Sequence, residues 1–364
     1  MSGRKLAFDR ILFASVAGLT VFGLVMVGSA SLFRTLSSPG GEYRLLVRQT
    51  GSAAAGLALM CWLTKVDYRR FNRRWVVATL LGTSAALLLL VMLSRPINGA
   101  RRWIALGPVH LQASELAKLA VALLLAYTLD RKSDQLAEGW RGFLPAATVC
   151  GALAALVLIE PDTGTAVLMG LVTMVFLYLA GVKPRHLAAL AGGAAALLAV
   201  VVLSSSYRRS RFLAFLDPSA DPLGSAFQIN QSLIALGSGG LTGVGLGQGQ
   251  QKAFYLPFPH SDFIFSVIGE ELGLLGTAGV LALFGIIFWR GSRSALRAPD
   301  NFGMFLGLAL TLMLTLQALL NLGVTTGLLP TKGLPLPYVS YGGSSLLASL
   351  AATGVLLNIS QHSN

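Results

Sequence analysis

FLPAATVCGALAALVLIEPDTGTAVLMGLVTMVFLYLAGVKPRHLAALAGGAAALLAVVVL, residues 143–203, decides the fold. Three apolar runs follow one another, separated only by EPD at 160–162 and by KPRH at 183–186. Each is uncharged over about the 17–20 residues that an α-helix needs to cross a hydrocarbon core of roughly 30 Å. Backbone polar groups find no water there, so each run has to satisfy its own hydrogen bonds as a helix.

Outward from this stretch the pattern repeats. Apolar runs fall at 11–33, 46–64, 75–94, 113–129, 143–160, 163–181, 187–204, 263–289, 301–323 and 342–359. The chain reads as an all-α polytopic membrane protein of about ten transmembrane helices, one domain over 1–364. Composition agrees: 54% of residues are hydrophobic and 12% charged, against about 45–50% and about 25% in soluble domains. The net charge of +13 does not point to nucleic acid, because the cations sit at the ends of the runs. With the N-terminus inside, sixteen Lys and Arg fall on inner segments and eleven on outer ones, with Lys118 inside a helix. This positive-inside bias puts both termini in the cytoplasm, and the basic loop Lys65–Arg74 is its firmest anchor. The first run exceeds a signal-peptide h-region and reads as a retained helix. Cys61 and Cys150 both lie within runs, and no disulfide is expected.

Two outer segments stand apart. Residues 95–112 read as irregular. Residues 205–261, between the seventh and eighth spans, are far longer than the usual connection of about 4–6 residues. Ile229, Leu233 and Leu236 have helical spacing, so this loop is expected to carry amphipathic pieces on the membrane surface. The glycines at 243, 245, 247 and 249 give a tight-turning segment. No Lys-Ser/Thr pair follows them, so it is not a phosphate-binding P-loop. No pair of broken helices and no internal repeat is evident.

Charges within a bilayer are costly and often functional. Glu115 and Lys118 share a face of the fourth span, with Gln112 a turn above; a packing ion pair and a substrate contact both fit. Glu160 and Asp162 flank Pro161, as a helix cap or as cavity groups. Asp262 follows LPFPHS and opens the eighth span. On a helix it shares a face with Ser266, Gly269 and Glu270, while Glu271 points away. Adjacent His260, Ser261 and Asp262 cannot converge as a hydrolase triad. Arg101, Arg102 and Trp103 suit an interfacial anchor or an anionic headgroup, with Lys252 and Lys332 as further cations. The four histidines lack metal-ligand spacing. GLLPTKGLPLPYVSYGGSS, 327–345, is too rich in Pro and Gly for a helix. Irregular backbone at membrane depth has to be buried or line a wet cavity, so this segment, with Ser340 and Tyr341, is expected at the site.

NGARRWIALG with QASELAKL, EPDTGT, LTGVGLGQGQQKAFYLPFPHSDFIFSVIGEELGLLG and GLLPTKGLPLPYVSYGGSS occur in this order over nearly the whole chain. Together they resemble the SEDS family, whose members polymerise peptidoglycan or support its polymerisation. TKG at 331–333 resembles the division branch more than the elongation branch. The resemblance implies ten helices with both termini cytoplasmic, and a glycosyltransferase that links lipid II units at the outer face of the cytoplasmic membrane, at the septum for a division member. It implies Asp262 as the essential loop aspartate, Glu115 and Lys118 as the intramembrane pair, and a class B penicillin-binding protein and other division proteins as partners. Ala113, Glu160 and Phe258 depart from the family's usual Pro, Gln and acidic residue. No cofactor is required by the reading; a divalent cation, Mg2+ or Mn2+, is the alternative to Arg and Lys at the leaving diphosphate. A lipid II flippase using Glu115 and Lys118 as a path is the rival class, and a scaffold for division proteins is a third.

Overall fold

The computed structural model describes residues 7–35, 44–94, 101–106, 109–137, 140–219, 221–222, 224–253 and 255–363. Ten long helices coincide with the ten apolar runs: α1 (Arg10–Thr35), α2 (Arg44–Leu63), α3 (Arg74–Met92), α4 (Ala113–Ala137), α5 (Trp140–Ile159), α6 (Thr163–Leu179), α7 (Pro184–Leu203), α10 (Ile264–Leu296), α11 (Asn301–Thr325) and α12 (Gly343–Ser360). Seven of these are long and apolar enough to cross a membrane by length and composition. α6 is also apolar, at 17 residues. α2 and α4 carry polar residues that the bundle buries, Gln49 on α2 and Glu115 and Lys118 on α4. The core is continuous from Leu12 on α1 to Ile359 on α12.

One end of the bundle gathers the basic segments. The Asp9 amide donates to Ser360 Oγ (3.0 Å), and the Asp9 carboxylate pairs with Arg290 (2.7 Å). Asp300 accepts from the Tyr68 hydroxyl (2.5 Å) and Arg69 Nε (2.9 Å). Asn358 of α12 accepts from the Tyr68 amide and donates to the Thr64 carbonyl. Chain start, chain end and the loops around 65–74 and 290–300 therefore share one end.

The opposite end is built differently from its expected form. Within the segment 95–112 lies a short hairpin, β1 (Trp103–Leu106) against β2 (Val109–Gln112), antiparallel with Trp103 opposite Gln112. Between α7 and α10 come α8 (Ser206–Leu216) and α9 (Phe227–Ser238). α9 is amphipathic, as its spacing suggested, and packs one face on the bundle. It buries Ile229, Ser232 and Ala235 against the bundle and leaves Leu233 exposed. The Ser232 hydroxyl donates to the Thr325 carbonyl (2.6 Å) and bonds the Ser266 hydroxyl (2.6 Å), tying α9 to α11 and α10.

α10 is a broken helix, which the sequence did not announce. Gly273 stands at φ +65°, ψ −158°, a region open to glycine alone. The break frees backbone groups that hydrocarbon cannot satisfy, and the glycine-rich segment supplies their partners. The Val244 and Gly245 amides donate to the Glu270 and Glu271 carbonyls (3.0 Å each). The Leu274 and Leu275 amides donate to the Gly240 and Leu241 carbonyls (2.9 and 3.2 Å). A Cβ on Gly243 would come within 2.1 Å of the Glu271 carbonyl oxygen. Gly239 and Gly243 thus fit one backbone against another.

One more expectation is corrected here. Glu271, off the face that Asp262 shares, is nonetheless fully buried: it pairs with Lys252 and accepts from Ser29 Oγ at 2.8 Å. Lys252 is accordingly not at a substrate surface, since its ammonium is fully buried and also donates to Ser29 Oγ (2.8 Å). A cation at that depth requires such a partner.

Candidate functional site

The site forms where the hairpin, the α5–α6 link, the start of α10 and the irregular segment before α12 meet. Residues 329–337 are not helical, and side chains of α11 hold them. Asn321 Nδ2 donates to both the Asp262 carbonyl (2.9 Å) and the Leu334 carbonyl (2.7 Å). One turn away, Gln317 Nε2 donates to the Pro335 carbonyl (2.8 Å). The Ser340 hydroxyl donates to the Ser261 carbonyl (2.6 Å) and accepts from the Leu336 amide (2.7 Å). The Tyr341 amide donates to the His260 carbonyl (2.8 Å), and the two rings meet edge to face at 5.6 Å. Gln49 of α2 closes the arrangement, bonding the Ser340 carbonyl and the Gly342 amide. Irregular backbone is tolerated at this position because α2 and α11 satisfy it.

Asp262 is half-buried at this junction. A Cβ at Gly333 would lie 3.2 Å from Asp262 Oδ2 and 3.5 Å from Arg102 Nη1. Carboxylate and guanidinium therefore stand on either side of Gly333, without a direct ion pair, and Arg102 acts on Asp262 through space. Burial pushes the Asp262 carboxyl up to about 6, against the pull of Arg102 and Arg211 and with a further push from Asp162. Lys332, next to Gly333, is half-buried, and burial holds its ammonium below its ordinary value.

Arg102 is fixed from behind. Its Nε donates to the Glu160 carbonyl (3.2 Å) and its Nη2 to the Pro161 carbonyl. Asp162 caps α6, accepting from the Thr165 amide (3.1 Å) and hydroxyl (2.9 Å). The same carboxylate accepts from Ser114 Oγ (3.1 Å) and Gln112 Nε2 (3.2 Å), so capping and clustering hold together. Glu160 is only 2% exposed, and neither carboxyl oxygen has a hydrogen-bond partner. Burial, reinforced by Asp162 and opposed by Arg102, pushes it up to about 8.

Other expected residues fall elsewhere. Arg101 is exposed and donates to the Met92 carbonyl (2.9 Å) at the end of α3, away from Asp262. Glu270 is buried, and its Oε1 accepts from the Gln250 and Gln251 amides (2.7 and 3.0 Å). Glu115 and Lys118 pair at 2.8 Å inside the bundle, and Lys118 Nζ also donates to Gln317 Oε1. The pair thus supports, through Gln317, the Pro335 carbonyl beneath the mouth.

Three contributors escaped the sequence reading. Arg211 of α8 bonds Gln228 of α9 (3.0 Å) and lies close enough to act on Asp262; its signal is the basic run YRRSR. Gln317 and Asn321, one turn apart in an otherwise apolar run, carried a legible sign, since amides within a span need a partner.

A broken-helix membrane bundle with a carboxylate and cations at one mouth is the class of protein that this architecture defines. The model of the FtsW, RodA and SpoVE cell cycle proteins matches residues 9–364, and the chain belongs to that family, the SEDS family. The "Probable peptidoglycan glycosyltransferase FtsW" of Geobacter metallireducens is 43% identical over 355 residues, covering 97% of this chain and 94% of the relative. Stage V sporulation protein E of Bacillus subtilis is 40% identical over 367 residues, covering all of both chains. Among solved structures, a chain of a peptidoglycan synthase complex that coordinates polymerization and crosslinking superposes with a TM-score of 0.79 at 36% identity, over 98% of each chain. The Thermus thermophilus rod shape determining protein RodA gives 0.71 at 33%, over 98% of this chain and 97% of that one.

Proposed function

We propose that this chain is a peptidoglycan glycosyltransferase of the FtsW type, which polymerises lipid II into glycan strands at the outer face of the cytoplasmic membrane during septal wall synthesis. The observation that carries the reading is Asp262, a carboxylate held by backbone contacts at a mouth shared with Arg102 and Lys332. Names of the family's relatives support the activity.

The acceptor sugar hydroxyl attacks the anomeric carbon of the donor. The bond from that carbon to the diphosphate oxygen breaks, and undecaprenyl diphosphate leaves with the electron pair. Asp262 takes the hydroxyl proton, a contribution of about 10²–10⁴-fold for a positioned base. Arg102, Arg211 and Lys332 face the charge that develops on the diphosphate. A divalent cation, if it takes part, would be held by Asp262 together with the substrate diphosphate and would supply charge neutralisation there. The lipid tails stay in the bilayer throughout.

The ten long helices are read as ten spans, with both termini and the basic end in the cytoplasm. Single cysteines near Arg70 and Arg293, in a background without Cys61 and Cys150, should resist impermeant thiol reagents in intact cells. One near Ser225 should react. Labelling at Arg70 would invert the assignment.

The chain's one Ser-x-x-Lys match, Ser2 to Lys5, precedes the first apolar run and lies outside the described residues, so no acylation site is assigned to it, and a glycan strand has to be crosslinked. A class B penicillin-binding protein is therefore the proposed partner, in line with the synthase complex of similar fold. Purified protein given lipid II, with and without that transpeptidase, tests the reading. Glycan chains are expected, and more of them with the partner. Transfer of lipid II between leaflets without polymer would establish a flippase instead.

A further inference from the structure

The link between α5 and α6 holds a carboxyl that the proposed reaction does not use. Glu160 is 98% buried, given its 2% exposure, and both of its oxygens lack partners. Two charged groups bear on it from the elements packed around the link, and a third lies nearby. Asp162 opens α6, and Arg102 precedes β1. Arg208 of α8 donates to the Leu158 carbonyl at the end of α5 (3.4 Å). The net surroundings do not compensate a second carboxylate, because Asp162 is already committed to Thr165, Ser114 and Gln112. An ionised carboxylate at this exposure and without a hydrogen bond is costly, and the neutral acid is the form that fits.

The position of that acid matters because its own carbonyl and the next one hold Arg102. The guanidinium is therefore anchored by two backbone carbonyls, with one nitrogen turned to Gly333, across which Asp262 stands and feels its charge. A negative charge on Glu160 would offer Arg102 a stronger partner than any carbonyl. We propose that Glu160 is a positioning residue which works as a neutral acid: while it keeps its proton, Arg102 stays turned to Asp262 and the mouth, and its ionisation draws Arg102 back and disables the site. The proton leaves to solvent and no other group changes state.

This inference rests on the reading of the mouth as a polymerase site, and its test separates the two. The carboxyl lies near 8, so wild-type polymerisation of lipid II should fall at least tenfold between pH 7 and pH 9.5. Glu160→Gln, which has the shape of the neutral acid and cannot ionise, should remove that alkaline limb. Glu160→Ala should lower activity at every pH, by leaving a void behind Arg102, and glutamine but not alanine should rescue it. A second measurement does not depend on activity. A buried acid raised above its unfolded value holds its proton in the folded state, so stability declines as pH rises from the unfolded value, near 4.5, to about 8, and stays low beyond. The thermal midpoint of Glu160→Gln should therefore exceed that of wild type at pH 9 and match it at pH 4.5. Equal midpoints at pH 9, or an alkaline limb that persists in Glu160→Gln, overturn the proposal. Absence of polymer from every variant at every pH, with the midpoints diverging as stated, would instead overturn the polymerase reading and leave the neutral acid standing.

Discussion

Asp262→Asn is expected to lower glycan polymerisation by at least about 100-fold, the lower bound for loss of a positioned base, with insertion and fold intact. The side chain makes few structural contacts that asparagine would lose. What anchors residue 262 is its carbonyl, held by Asn321, and a change of side chain does not touch that bond. The substitution also removes a strain. The carboxyl stands at about 6, above its ordinary value, so the folded state resists its ionisation and loses stability as pH rises toward 6. The Asn variant should thus melt at or above the wild-type temperature at pH 7, while being inactive. Activity of the wild type should rise through pH about 6 on the acid side, as the base becomes available. Near-normal polymer from Asp262→Asn would remove Asp262 as the base. An inactive variant that also melts lower would assign the residue to the fold.

The second large effect concerns Glu115 and Lys118, which are 4–5% exposed. Removing one member of a buried pair leaves an unpaired charge, at a cost of roughly 3–5 kcal/mol, whereas replacing both by apolar groups is often far milder. Glu115→Ala and Lys118→Ala should each lose stability and activity together. Glu115→Leu with Lys118→Met should recover much of the stability. Its activity separates the two classes of function. The Lys118 ammonium donates to Gln317, and Gln317 holds the Pro335 carbonyl, so the pair bears on the mouth through the irregular segment. A packing role predicts that the double variant regains a large part of polymerisation. A stable, correctly inserted double variant with no activity would place the pair on a substrate path and favour transport.

The ten hydrophobic runs were legible because hydrocarbon admits only one solution for the backbone of a single segment. Run lengths, basic loop ends and the need for a helix all follow from local sequence. Asp262 was legible for the same reason, as a carboxylate that closes the longest loop and opens a span. The irregularity of 327–345 was legible from its prolines and glycines. None of this required knowing which helices touch.

The rest depended on contacts distant in sequence. The break at Gly273 looks like an ordinary helical glycine until the segment 239–245 is laid against it, since its φ is set by amides and carbonyls about thirty residues away. Lys252 reads from the sequence as a further cation near the arginines, and Glu271 as an acid off the face that Asp262 shares. Only the folded chain brings them together beside Ser29 of α1, where low dielectric makes each the other's necessary partner. Whether Arg101 or Arg102 serves the mouth was likewise undecidable from two adjacent arginines. The hairpin sends one to Met92 and the other to the carbonyls of 160 and 161. Sequence determined which segments form the long apolar helices, because the drive to bury such a run is a transfer free energy summed along the chain. Tertiary structure decided which charges gather at the mouth, which support it and which are merely paired, because that depends on the dielectric and the partners each side chain meets once the helices have packed.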